Sequence, residues 1–125
     1  PKFINLIKEG KQPTINGDGS FSRDFTYVDN VVQANILGLT TSNNNCFGEV
    51  FNIGCGGQYT LNELVININN SLNTNIKPIY GHNRKGDIPH SNANILKAKN
   101  MLKYNPLVMF EEGINRTIDF YLKKK

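Results

Sequence analysis

Thr60-Leu61-Asn62-Glu63 constrains this chain more than any other four residues. A Thr three positions ahead of a Glu, directly before an apolar periodic run, is a capping box: the Thr60 hydroxyl accepts from the Glu63 amide while the Glu63 carboxylate reaches back to the Thr60 amide. A helix must start there. Leu61, Leu64, Val65, Ile68 and Leu72 then fall at i, i+3, i+4, i+7 and i+11, one stripe that has to face a core.

The same spacing logic extends along the chain. Phe3, Ile4 and Ile7 predict a short helix over 1–10, with Pro1 tolerable in the first turn and Gly10 suited to a C-terminal cap. Asp29 as N-cap, followed by Val32, Ile36 and Leu39, predicts a helix over 29–40. Two closing helices are expected, over 95–102, stopped before Pro106, and over 111–122, where Glu111 and Glu112 at the start and lysines at the end complement the dipole. Brief strands are expected at 13–16, at the β-prone 25–28, at 50–53 before Gly54, and at 77–80, with a polar loop over 81–91. The order suits an α/β domain of short strands with packed helices, and strands this short imply a partner layer elsewhere. At 125 residues the chain fits one domain.

Charge and cysteines exclude several classes. The formal net charge of +4 includes the terminal Lys123-Lys124-Lys125, which read as a solvated end, and no nucleic-acid-reading motif accompanies it. Nucleic acid is therefore not an expected partner. Cys46 and Cys55 match neither a zinc site nor a redox pair and read as reduced thiols. No run approaches the ~18 apolar residues of a membrane span, and no signal peptide is visible, so a cytoplasmic protein without membrane contact is expected. The start Pro1-Lys2-Phe3-Ile4, without Met, hints at a missing upstream segment.

No glycine-rich dinucleotide fingerprint, P-loop or H-E-x-x-H occurs, and His82 and His90 have no triad-like company. Gly54-Cys55-Gly56-Gly57 lacks the lysine or acidic partner of a phosphate loop and reads as a structural turn. Two segments remain, residues 17–29 around Arg23 and residues 84–91 around Arg84. Two guanidinium groups converging from separate segments would clamp a diphosphate bidentately, and an aspartate nearby could take ribose hydroxyls. Each arginine on its own also fits a surface or ion-paired residue.

The string GDGxxxRDFxYVDN with a preceding P-x-I, then GEVFNIGCGGQYTLNEL, RKGDIPHSNAN and a last helix with EGINRTIDFY, spans nearly the whole chain. In that order it resembles the C-terminal half of the extended short-chain dehydrogenase/reductases acting on nucleotide sugars. It is most similar to the UDP-glucose and UDP-N-acetylglucosamine 4-epimerases, and through Gly86-Asp87-Ile88-Pro89-His90-Ser91 to the N-acetylhexosamine branch.

The resemblance implies that residues 1–125 form a single nucleotide-sugar-binding domain, a fragment of a two-domain enzyme whose Rossmann half is missing. It implies that the backbone of Thr14, Ile15 and Asn16 meets uracil, Arg23 and Arg84 hold the diphosphate, and Asp87 takes a ribose hydroxyl. Phe25 would pack near the nucleotide, with plain core packing as the alternative. Ser91 would face the hexose, opening room for an N-acetyl group where a large side chain would exclude it; a serine in a loop turn is the alternative. Asp24 and Asp29 read as structural, one fixing the arginine strand and the other capping a helix.

Catalytic residues and NAD would belong to the missing half, so no cofactor, metal or catalytic residue is expected in this chain, and alone it would be inactive. The full enzyme would oxidise the sugar C4 hydroxyl with NAD, let the keto sugar rotate, and return the hydride to the other face. A 4,6-dehydratase or decarboxylase of the same family, or a non-catalytic nucleotide-binding module, are the alternatives. Expected partners are the UDP-sugar and the N-terminal Rossmann domain of the same enzyme. An apolar patch drawn from Val31, Val32, Ile36 or Phe51 should be exposed, and a homodimer is one way to cover it.

Overall fold

The computed structural model describes residues 1–123, so of the basic tail Lys124 and Lys125 lie outside the described residues. Helices α1 (Lys2–Lys8), α3 (Leu61–Leu72) and α5 (Phe110–Lys123) pack with strand β1 (Thr14–Asn16) around Ile4, Ile7, Ile15, Val65, Ile68 and Ile118. A second core gathers Ala34, Ile95, Ala98, Leu102 and Tyr104 between α2 (Val28–Thr40) and α4 (Leu96–Leu102), closed by Cys46 from the 3₁₀ turn Asn44–Cys46. Asn30, fully buried on α2, links these helices to the approach to α5: its Nδ2 donates to the Val108 carbonyl at 2.6 Å and its Oδ1 accepts from the Leu107 and Val108 amides at 2.9 and 3.0 Å.

The local signals read from the sequence appear as geometry. The Glu63 amide donates to Thr60 Oγ1 at 3.1 Å, and Glu63 Oε2 accepts from the Thr60 amide at 2.7 Å. The α1 terminus closes as a Schellman motif, with the Lys11 amide on the Leu6 carbonyl at 2.8 Å and the Gly10 amide on Ile7 at 3.0 Å, and it needs the positive φ of 71° that Gly10 adopts freely.

The strands depart from expectation. A two-stranded parallel sheet pairs β1 with β4 (Ile79–Gly81), and a three-stranded sheet runs β3 (Tyr59–Thr60), β2 (Ser22–Arg23), β5 (His90–Ser91). The second strand lies at Ser22–Arg23 and not at 25–28: beyond Arg23 the chain turns so that Asp24 can accept three backbone amides, and Val28 already begins α2. Residues 50–53 form no strand, because no neighbouring backbone among the described residues offers them a ladder; Phe51 and Ile53 instead pack on the second core. The loop expected over 81–91 contains β5, which is parallel to β2. Asp29 does not cap α2. Tyr27 is the N-cap, without a side-chain bond, and Asp29 lies in the first turn, where it favours the dipole and meets Arg116 at 3.5 Å.

No helix among the described residues is long and apolar enough to cross a membrane. The outer face of α2 exposes Val28, Val31, Val32, Ile36 and Leu39, while Phe51 is only partly exposed.

Candidate functional site

Arg23 and Ser91 are register partners across β2 and β5, so their side chains emerge side by side on one face of the small sheet. They border a polar concavity of about 370 Å³ completed by Asp24, Thr26, Asn52, Ile53, Asn92 and Ala93. Arg23 is held, half-buried, by its own surroundings: Nη1 donates to the Ser22 carbonyl of β2 at 2.8 Å and to the carbonyl of Pro89, just ahead of β5, at 3.4 Å. With Nη1 so fixed, the remaining guanidinium donors have no partner among the described residues, an arrangement suited to an anion.

Asp24, the one carboxylate at the cleft, is already engaged. Its Oδ1 accepts from the Cys55 amide at 3.1 Å, and its Oδ2 accepts from the Gly56 and Ala93 amides at 2.9 and 3.3 Å. Gly54 lets this carboxylate approach: a Cβ there would stand 2.5 Å from Asp24 Oδ2 and 2.8 Å from the Ala93 Cβ. The Tyr104 hydroxyl fixes the Gly54 carbonyl from the other side at 2.8 Å, and burial, followed by the charge nearby, pushes its pKa up to about 12, so it stays a donor. Burial, and then the Asp24 carboxylate, push the Cys55 thiol up as well, so it is no thiolate nucleophile. Both cysteines are free and buried.

Two amides of the Gly54-Cys55-Gly56-Gly57 turn, those of Cys55 and Gly56, are thus spent on the Asp24 carboxylate, and a turn that wraps a carboxylate does not fit the pyrophosphate of a dinucleotide cofactor. Among the described residues no cluster could hold a metal ion. A second concavity of about 430 Å³ is mostly apolar, walled by Phe3, Leu61, Leu64, Met109 and Phe110, with Lys2, Thr26, Tyr27 and Thr117 also on its border.

The remaining sequence candidates are distributed as follows. Thr14 and Asn16 are exposed on β1, whereas Ile15 between them is 1% exposed, with its side chain in the first core. Arg84 and Asp87 lie in an exposed turn just ahead of β5, where the Asp87 amide donates to the Arg84 carbonyl at 3.2 Å and Gly86 takes a φ of 87°. Neither side chain borders the polar concavity. Phe25 lines the apolar concavity, its ring 5.5 Å from that of Phe110. Asn52, Asn92 and Thr26 border the polar cleft without having been singled out from sequence; a lone Asn or Thr in a loop carries no signal until the fold gives it neighbours.

Residues 1–54 match the model of the NAD dependent epimerase/dehydratase family. Over 120 residues the chain is 32% identical to the UDP-glucuronate 4-epimerase of Thermodesulfobacterium geofontis, covering 95% of this chain and 36% of that protein. Among solved structures, the UDP-glucose 4-epimerase of Thermotoga maritima with UDP-glucose is 37% identical, with a TM-score of 0.89 over 98% of this chain and 38% of that one. The UDP-N-acetylglucosamine 4-epimerase of Methanobrevibacter ruminantium M1, in complex with UDP-N-acetylmuramic acid, is 35% identical with a TM-score of 0.90, covering 100% of this chain and 39% of that one. The chain therefore spans under two fifths of the length of these three proteins, and its match falls on the C-terminal part of the epimerase structures.

Proposed function

The chain belongs to the NAD dependent epimerase/dehydratase family, and on that premise we propose that it is the substrate-binding part of a nucleotide-sugar 4-epimerase, holding the UDP moiety. One observation carries the reading: the β2–β5 register sets Arg23 beside Ser91 on the border of a polar cleft whose one lining carboxylate is already engaged. An anionic group with a neutral, hydroxyl-rich group attached is the ligand such a cleft accommodates. Arg23 would hold a diphosphate oxygen, and Arg84 and Asp87 would close over the diphosphate and ribose from the turn ahead of β5. The β1 edge, through the exposed Thr14 and Asn16 on either side of Ile15, would meet the uracil, and Ser91, with Asn52 and Asn92 beside it, would face the hexose with room for an acetamido group. Phe25 contributes packing against Phe110.

In this reading the chain binds and orients, and orientation by itself is a large share of enzymatic rate enhancement. NAD and the groups that move the C4 proton are assigned to the rest of the parent enzyme, since the Gly54-Cys55-Gly56-Gly57 turn does not fit the cofactor. The exposed apolar face of α2 would pack on that part of the parent. The chain alone is expected to show no epimerase activity.

Calorimetric titration of UDP into the full-length protein tests the clamp. Arg23→Ala and Arg84→Ala should each weaken binding by about 1.5 to 3 kcal/mol, the loss of one charge-assisted contact. Parental affinity in both variants would remove the clamp.

A further inference from the structure

The contact between β2 and β5 is only two residues long, Ser22 facing His90 and Arg23 facing Ser91, and so short a ladder does not hold its own register. We propose that His90 is a positioning residue, which through Ser22 and Gln58 locks β5 onto β2 and so sets Ser91 and the Pro89 carbonyl against Arg23. The inference rests on the reading of the Arg23 cleft as a nucleotide-sugar site and adds to it a residue that works from the opposite face of the sheet.

The hydrogen-bond inventory of Ser22 carries the argument. Ser22 is 2% exposed, so each of its polar atoms needs a partner within the protein. Its amide donates to the Pro89 carbonyl at 2.9 Å, and its carbonyl accepts from Arg23 Nη1 at 2.8 Å. Its Oγ accepts from Gln58 Nε2 at 2.9 Å and lies 2.8 Å from His90 Nδ1. With the Gln58 Nε2 turned to Ser22, His90 Nδ1 is the acceptor found within reach of the Ser22 hydroxyl proton among the described residues, and that proton is assigned to it and the ring proton to Nε2.

His90 is thus the acceptor for a buried hydroxyl that has no other outlet. Side chains alternate along a strand, so this lock lies on the face away from Ser91 and has no need to touch a ligand. Without the acceptor, the buried Ser22 hydroxyl proton is orphaned and β5 loses its side-chain tie to β2. The Pro89 carbonyl, which fixes both the Ser22 amide and Arg23 Nη1, would move with it. The anion site and the sugar-facing serine would loosen together.

The test compares His90→Phe, which has no acceptor, with His90→Asn, whose carboxamide oxygen can stand near the place of Nδ1. Each full-length variant is titrated with UDP, UDP-glucose and UDP-N-acetylglucosamine, and amide exchange is followed at Ser22, with Arg23→Ala as reference. In His90→Phe, UDP affinity should fall about three- to tenfold, the effect of one buried hydrogen bond. The preference between the two sugars should shrink, and the Ser22 amide should exchange faster; His90→Asn should restore all three. A purely structural His90 would lower stability and leave the sugar preference unchanged, which overturns the proposal. So does a His90→Asn variant that binds as poorly as His90→Phe while the Ser22 amide stays protected, because His90 would then act on the ligand directly. If the parent binds UDP no better than Arg23→Ala does, the reading of the cleft itself falls, and the lock falls with it.

Discussion

Replacing Asp24 by Asn changes one atom and asks whether a carboxylate organises the cleft. The two carboxylate oxygens receive three backbone amides, Cys55 on Oδ1 and Gly56 and Ala93 on Oδ2. A carboxamide presents one oxygen and one donor group. If its oxygen takes the Oδ2 place, Gly56 and Ala93 keep their acceptor and the Cys55 amide faces an NH₂; the opposite orientation strands two amides instead of one. The cheaper orientation still forfeits one charge-assisted hydrogen bond, about 1.5 to 3 kcal/mol, and strands an amide of the buried Cys55. Partial solvation of the site offsets some of this, so a loss of about 2 to 4 kcal/mol is expected, with no cavity contribution because the two side chains have nearly the same shape. For a urea slope of about 2 kcal/mol per molar, the unfolding midpoint should drop by roughly 1 to 2 M. Equilibrium unfolding followed by far-ultraviolet circular dichroism reads this directly, and amide exchange at Gly56 and Ala93 reports whether the loop has come loose. A midpoint within about 0.3 M of the parent at equal slope would show that the carboxylate does not hold the loop, and the account of the Gly54-Cys55-Gly56-Gly57 turn would be wrong.

Ser91→Tyr fills the cleft beside Arg23 and should cut turnover of UDP-N-acetylglucosamine by the parent enzyme at least about tenfold while sparing UDP-glucose, since a crowded pocket excludes more sharply than it attracts; equal losses on both substrates in a steady-state assay would discredit the role given to Ser91. Asn30→Ala strips the Val108 amide and carbonyl of their buried partner and should cost roughly 2 to 6 kcal/mol, so a thermal scan showing a near-parental midpoint would contradict the role assigned to Asn30. The bonds from Thr60 hold the Glu63 carboxyl below its ordinary value of 4.5. A depressed folded-state pKa means that its stabilisation is complete above that ordinary value and lost as pH falls through the folded one. The parent should therefore lose its stability advantage over Glu63→Gln on acidification through that window, and a difference independent of pH would refute the capping-box electrostatics.

What the sequence determined by itself was local. The capping box at Thr60, the Schellman closure at Gly10 and the stripes of α3 and α5 each depend on residues within about a dozen positions of one another along one element, so patterning and turn chemistry are enough to read them. Arg23 and Ser91 could be picked out by resemblance, yet their meeting belongs to the tertiary structure, because 68 positions separate the paired strands that carry them. A strand is a property of its partner as much as of its own residues. The β-prone segment 25–28 and the apolar segment 50–53 find no ladder, while Ser22–Arg23 and His90–Ser91, too short to show any periodicity, find one. The work of Asp24, collecting amides from two distant loops, and that of His90, taking the proton of a buried serine, follows from the same long-range closure, which no local reading of the chain contains.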